Sequence, residues 1–287
     1  MSGLTGAGLA VPKTIKLFID GAFVRTESGR SFPVFEAKSK KLYANLCQAS
    51  RKDLRNAVTA AQAAQSGWAG RSAYNRSQIL YRMAEMAESK RAEFVELLKT
   101  TLGYDESSSQ AVFDRTLDSF VYYAGFADKY QQLAGSENPV SSPHYNFTCS
   151  EPVGVVGLIA SESFQLDRLV AQMCAVICSG NSLVVLMEEE GAALLGPLSE
   201  VFATSDLPKG VINLLSGYTE ELSPIFGDHM EIQSLCYQGT DNQVLAKLRE
   251  AAAENMKRVA TSPEDNLGLE NILRFVEFKT VWHPVGS

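Results

Sequence analysis

The sequence lacks a long hydrophobic segment. Its longest unbroken apolar run, residues 173–178, has six residues, whereas a membrane-spanning helix needs about 20. It also lacks basic runs, because 26 Lys and Arg stand against 33 Asp and Glu and the net charge is −7. Binding of nucleic acid requires a basic surface that neutralises phosphates. We therefore expect neither a membrane nor a nucleic-acid partner.

Paired cysteines and clustered histidines are also absent. The five cysteines include no C-x-x-C pair, and the three histidines are far apart, at His144, His229 and His283. This usage is typical of a reducing compartment and speaks against a metal site. The N-terminal segment MSGLTGAGLA shows no basic region ahead of an apolar one, so a secretory signal is not predicted. We expect a cytoplasmic protein without bound metal.

The first half of the chain predicts a hairpin followed by helices. Residues 16–25 alternate apolar and polar around Asp20-Gly21, which indicates a β-hairpin with a type I′ turn. Ser50, with Asp53 three residues later, is a plausible N-cap for the first helix. Helical spacing continues to residue 135, and these helices are assigned no chemistry.

After a turn-rich segment at 136–142, short apolar strands alternate with helices. The predicted strands cover 153–160, 182–187, 211–215 and 232–237, and the predicted helices cover 166–178, 190–203, 219–227 and 241–256. Such alternation is typical of a parallel, doubly wound α/β sheet. The near-continuous apolar strands fit burial on both faces of that sheet.

The end of the chain is too short for another α/β unit. Only 26 residues follow residue 261, and a βαβ unit takes about 30. An extended run at 272–282 is predicted to form a strand without a local partner.

Several segments together resemble the aldehyde dehydrogenase superfamily. They are EPVGVVG at 151–157, GNSLVV at 180–185, LPKGVIN at 207–213, LFIDGAFV at 17–24 and Gly67-Trp68. Their order and spacing carry the resemblance, which extends over residues 16–259. The tail RFVEFKTVW at 274–282 is similar to the C-terminal strand of that family.

The resemblance implies an NAD(P)-binding Rossmann-type domain, a separate catalytic domain and a β-flap used for oligomerisation. It divides this chain into an N-terminal hairpin and helical part (1–135), a first flap strand (136–152), a Rossmann-type core (153–261) and a linker with a C-terminal flap strand (262–287). In the family, a Cys nucleophile attacks the aldehyde, hydride passes to nicotinamide, and a Glu activates the hydrolytic water.

The catalytic positions implied by the resemblance are substituted or missing. No cysteine follows Cys236, so the family's nucleophile is absent. Ser163 stands at the position of the oxyanion-stabilising Asn, and Ser262 stands at that of the general-base Glu, with Glu264 two residues further on. A serine cannot activate water as a carboxylate does.

The cofactor positions are only partly kept. Leu186 replaces the lysine that holds the adenosine ribose, and Thr219 replaces the second glycine of the adenine-side turn. The positions that remain are Glu189, Gly217, Gly239 and Thr240. Glu189 is equally explained as one of three carboxylates near a helix start. We expect NAD(P) to bind at low affinity or not at all.

The composition resembles the C-terminal, non-catalytic region of family 16 aldehyde dehydrogenases. That resemblance implies a structural role, in which the chain pairs with itself or with a full-length aldehyde dehydrogenase through helix 241–256 and strand 272–282. Two alternatives remain open: an NAD(P)-dependent aldehyde dehydrogenase and a weak NAD-binding module.

Overall fold

A computed structural model describes residues 13–161, 164–188, 191–263 and 265–286. Within them the helices are α1 (Arg51–Ala69), α2 (Ala73–Ser89), α3 (Arg91–Leu102), α4 (Glu106–Phe126), α5 (Tyr130–Ala134), α6 (Leu166–Cys178), α7 (Leu195–Ala203), α8 (Thr219–Asp228), α9 (Asn242–Glu254) and α10 (Leu269–Leu273), and a 3-10 turn covers Ala192–Leu194. The strands are β1 (Lys13–Ile15), β2 (Leu17–Ile19), β3 (Ala22–Val24), β4 (Ser31–Phe35), β5 (Leu42–Cys47), β6 (Ser136–Glu137), β7 (His144–Pro152), β8 (Val155–Ala160), β9 (Ser182–Met187), β10 (Ile212–Ser216), β11 (Ser234–Gln238), β12 (Arg258–Thr261) and β13 (Val276–Pro284). None of these helices is long and apolar enough to cross a membrane.

The central sheet has the order β12-β11-β8-β9-β10-β2-β3. The five strands from β12 to β10 are parallel, and the β2–β3 hairpin joins them antiparallel. The chain runs outward from β8 to β10 and then returns to the other side of β8. The predicted doubly wound α/β fold is therefore confirmed.

Two apolar clusters cover the two faces of this sheet. On one face, α1, α8 and α9 pack through residues such as Val58, Leu222 and Leu248. On the other face the cluster includes residues from α2, α4, α6 and α7. Alternate residues of β8 and β9 belong to opposite clusters, as expected for strands buried on both sides.

Local signals at the N-terminal half form the predicted structures. Asp20 and Gly21 have φ values of 52° and 73°, as a type I′ turn requires. Ser50 and Asp53 form a reciprocal capping box at the start of α1. The buried Asp53 carboxylate also accepts hydrogen bonds from Thr26 Oγ1 (2.7 Å) and from the Glu27 amide (3.2 Å). These bonds tie the segment after the hairpin to α1.

The prediction of a tail strand without a local partner is wrong. β13 pairs antiparallel with β7 over nine residues, from Val276 opposite Pro152 to Pro284 opposite His144. The two strands form, with β6, a separate sheet of order β13-β7-β6, which we call the flap sheet. The partner strand is residues 144–152, whose extended backbone lies beside β13 over its whole length.

The start of the predicted tail strand is also different, because residues 272–275 are not extended. Ile272 ends up in α10, and Ile272 and Phe275 are fully buried in the cluster that also contains α6. Asn181 Nδ2 donates to the Phe275 carbonyl at 2.8 Å, and the Val153 amide donates to the same oxygen at 3.2 Å. The tail is thus anchored to the Rossmann-type core before β13 begins.

Candidate functional site

The candidate site is the carboxyl edge of the central sheet, which we define as the residues directly after β8, β9, β10 and β11. Ligands of doubly wound sheets bind outside the carboxyl ends of the strands. Among the described residues, this edge carries Ser161, Glu188, Gly217, Thr219, Gly239, Thr240 and Asp241. The predicted residues Ser163 and Glu189, like Glu264, lie outside the described residues.

Glu188 is the most strongly bonded side chain of this edge. Its carboxylate accepts hydrogen bonds from the Thr219 amide (3.1 Å) and the Thr219 hydroxyl (2.9 Å). It also accepts a hydrogen bond from the Ser161 hydroxyl, and the two hydroxyl oxygens lie 3.2 Å apart. Ser161 and Thr219 are both buried. The ends of β8, β9 and β10 are therefore joined through one carboxylate.

The predicted cofactor residue Gly217 lies above an apolar layer. Leu186 and Leu222 are fully buried in the same cluster. A Cβ atom on Gly217 would lie 3.3 Å from Leu222 Cδ1 and 3.7 Å from Leu186 Cδ1. The position where the family resemblance implies a ribose-binding lysine thus faces hydrocarbon.

Gly239 and Thr240 follow β11 and precede α9. A Cβ atom on Gly239 would collide with the Tyr237 ring, so a side chain does not fit there. Thr240 is exposed. Asp241 is the N-cap of α9, and its Oδ1 accepts hydrogen bonds from the amides of Gln243 (2.7 Å) and Val244 (3.4 Å).

Sequence reasoning missed Asp241, and it noted Glu188 only as part of an acidic run. Asp241 carries a readable signal, because it is the first residue of the helix predicted over 241–256 and Asp is a favoured N-cap. Glu188 carries none, since its three bonds reach groups 27 and 31 residues away.

Three of the five cysteines are poor nucleophiles in this fold. All five lie within the described residues and none forms a disulfide. Burial raises the pKa of the Cys236 and Cys178 thiols to about 12 and that of Cys174 well above its usual value. A thiol must ionise to attack a carbonyl carbon, so burial keeps these groups unreactive.

Ser262 lies apart from Glu188 and its partners Ser161 and Thr219. It is half-buried and follows β12, the edge strand, which is separated from β8 by β11. Among the described residues, no group of His, Cys, Asp and Glu side chains could hold a metal ion.

Residues 23–262 match the sequence model of the aldehyde dehydrogenase family. The chain is 30% identical over 247 residues to benzaldehyde dehydrogenase, mitochondrial, from Antirrhinum majus, an alignment that covers 85% of this chain and 46% of that protein. It is also 30% identical over 254 residues to retinal dehydrogenase 2 from Homo sapiens, covering 86% and 48% respectively. The chain thus spans about half the length of these curated relatives.

Solved structures give the same result. The NAD+ complex of an aldehyde dehydrogenase from Bacillus cereus is similar with a TM-score of 0.82 and 27% identity, over 87% of this chain and 50% of that one. PnpE from Pseudomonas sp. WBC-3 is similar with a TM-score of 0.81 and 26% identity, over 86% and 50%.

Proposed function

Because this chain belongs to the aldehyde dehydrogenase family, we propose that it is a non-catalytic member with a role in assembly. In this proposal the chain pairs with a second copy of itself, or with a full-length aldehyde dehydrogenase, through the flap sheet. The observation that carries the proposal is the exposed outer edge of β13.

β13 is an edge strand, and within the described residues its outer side pairs with no other strand. Unpaired backbone of a long edge strand is a ready template for another chain. On one face of β13, Phe278 and Trp282 expose 51% and 56% of their surface. Natural proteins usually cover such apolar edges, and pairing is one way to do so.

The other expected contact, helix 241–256, is less apolar than its sequence indicates. Val244, Leu245 and Leu248 pack wholly or partly against the core of the chain itself. Its outer side carries Lys247 and Arg249, and only Met256, just beyond α9, is a large exposed apolar residue. The flap sheet is therefore the main contact in the proposal, and this helix a secondary one.

The non-catalytic part of the proposal is supported by the buried thiols and by Ser262 at the general-base position. Among the described residues the carboxyl edge carries no cysteine, and the general-base position holds a serine, so acyl transfer and hydrolysis lack their acting groups there. Residual NAD binding is the second candidate function, and the retained Gly239 favours it. The apolar surroundings of Leu186 favour low affinity.

The test is the mass in solution of the wild type and of Phe278→Lys/Trp282→Lys, measured by light scattering on a sizing column. We expect a dimer for the wild type and a monomer for the double variant, which should still unfold in one cooperative transition. The matched control is Tyr74→Lys, because Tyr74 is 68% exposed and lies on α2, which is not part of the flap sheet. A wild-type chain that is monomeric, both alone and mixed with a full-length aldehyde dehydrogenase from the same organism, would refute the assembly role.

A further inference from the structure

Two carboxylates of the chain occupy the helix N-termini at the carboxyl edge. Glu188 binds the amide of Thr219, the first residue of α8, at 3.1 Å. Asp241 binds amides in the first turn of α9 at 2.7 and 3.4 Å. Glu188 follows β9, whereas the strand that precedes α8 is β10. Asp241 directly precedes its own helix.

Helix N-termini at this edge are the places where a doubly wound fold binds phosphate. Their free amides and the positive end of the helix dipole attract anions. Here those amides already have anionic partners, and a phosphate approaching either helix meets a negative charge. Glu188 cannot swing aside at low cost, since Ser161 and Thr219 hold it through three hydrogen bonds.

We infer that Glu188 and Asp241 determine the ligand specificity of the carboxyl edge by excluding phosphate-bearing ligands, dinucleotides included. The residues present therefore do not fit the NAD that the fold family implies, which counts against residual NAD binding, the second candidate function. This inference goes beyond the assembly role. Its test measures binding and not mass, so either idea can fail alone.

The competing explanation is that both acids serve only as helix caps, a common use of Asp. Amide substitutions separate the two ideas, because Asn is also a good N-cap and Gln keeps the shape of Glu. Glu188→Gln and Asp241→Asn remove the charge while leaving an oxygen that accepts hydrogen bonds. Asp228→Asn and Glu250→Gln are matched controls, since these exposed acids lie on the same two helices but outside their first turns.

Isothermal titration with inorganic pyrophosphate, and separately with NAD, tests the inference at constant ionic strength. We expect the double variant Glu188→Gln/Asp241→Asn to bind both ligands at least about tenfold more tightly than the wild type, which corresponds to about 1.4 kcal/mol. The control variants should bind as the wild type does. If Glu188→Gln fails to melt cooperatively, Asp241→Asn alone, at a half-exposed N-cap, should still raise pyrophosphate affinity.

Three results would overturn the inference. The first is equal pyrophosphate affinity in the wild type and the charge-removed variants. The second is an equal gain in the controls, because net charge alone would then explain it. The third is a gain for pyrophosphate without one for NAD, which would make the apolar layer of Leu186 and Leu222 the barrier to dinucleotides.

Discussion

Replacing Phe275 with Ala should destabilise the whole chain, although Phe275 lies only 12 residues from the C-terminus. The ring is fully buried in the larger apolar cluster. The backbone oxygen of residue 275 can keep its bonds from Asn181 and Val153, so the substitution removes the side chain alone. Deleting a buried Phe ring costs about 3–5 kcal/mol. That is a large part of a total stability of about 5–15 kcal/mol.

Urea unfolding followed by circular dichroism measures this loss, and Phe278→Ala is the matched control. Phe278 is the same residue type three positions later, with half of its surface exposed. At a protein concentration low enough to leave β13 unpaired, we expect its replacement to change the free energy of unfolding by less than about 0.5 kcal/mol. Both variants should be measured at two protein concentrations, because pairing through β13 makes the midpoint concentration-dependent.

A loss below about 1 kcal/mol for Phe275→Ala would refute the reasoning, since a ring that can be removed so cheaply does not belong to the core. The expected loss also affects how the assembly role can be tested. Deleting residues 270–287 would remove Ile272 and Phe275 together with β13. Substitutions confined to β13 separate pairing from folding, and a truncation does not.

Three further outcomes are expected. The chain should produce no NADH from short or aromatic aldehydes and NAD; turnover that Cys236→Ser abolishes would identify a nucleophile where burial argues against one. Burial lowers the pKa of the Lys257 ammonium to about 8, and Nζ donates to the Gly227 carbonyl. The pKa of lysine in the unfolded chain is about 10.4, so between about pH 8 and 10.5 the unfolded state binds more protons than the folded one. The free energy of unfolding should therefore rise over this range, by at most about 3 kcal/mol. Lys257→Met should flatten this rise, and an identical slope in both proteins would contradict the prediction. Asp53→Ala removes a capping-box partner and should lower the melting temperature through a loss of about 1–2 kcal/mol; an unchanged melting curve would show that the box contributes nothing.

The local features that could be predicted from the sequence are set by residues only a few positions apart in the chain. The Asp20-Gly21 turn and the Ser50–Asp53 capping box each form within a few positions, so their residue types suffice. The parallel sheet could be predicted because its apolar strands have few other stable arrangements. Helix ends were less predictable. The aromatic-rich pattern of the sequence indicates a helix over 112–133, whereas α4 begins at Glu106 and ends at Phe126.

The features that could not be predicted depend on residues far apart in the sequence. The pairing of β13 with β7 joins positions more than 120 residues apart, and the period-2 pattern of a strand does not specify its partner. Leu186 illustrates the same limit at the site. Its identity indicates a lost ribose contact, but only the fold shows that Leu222 lies beside it and that the environment is hydrocarbon.

The flap sheet, which is the main contact proposed for assembly, and the carboxyl edge lie in different parts of the structure. The helices that carry the carboxylate contacts, α8 and α9, pack through the cluster on one face of the central sheet. The segment that anchors β13, with Ile272 and Phe275, packs through the cluster on the other face. Substitutions at Glu188 therefore leave the anchor of the flap sheet untouched, and substitutions on β13 leave the carboxyl edge untouched. Distant sites without shared contacts usually act additively, so a mass change caused by Glu188→Gln would mean that the two faces are coupled through the sheet.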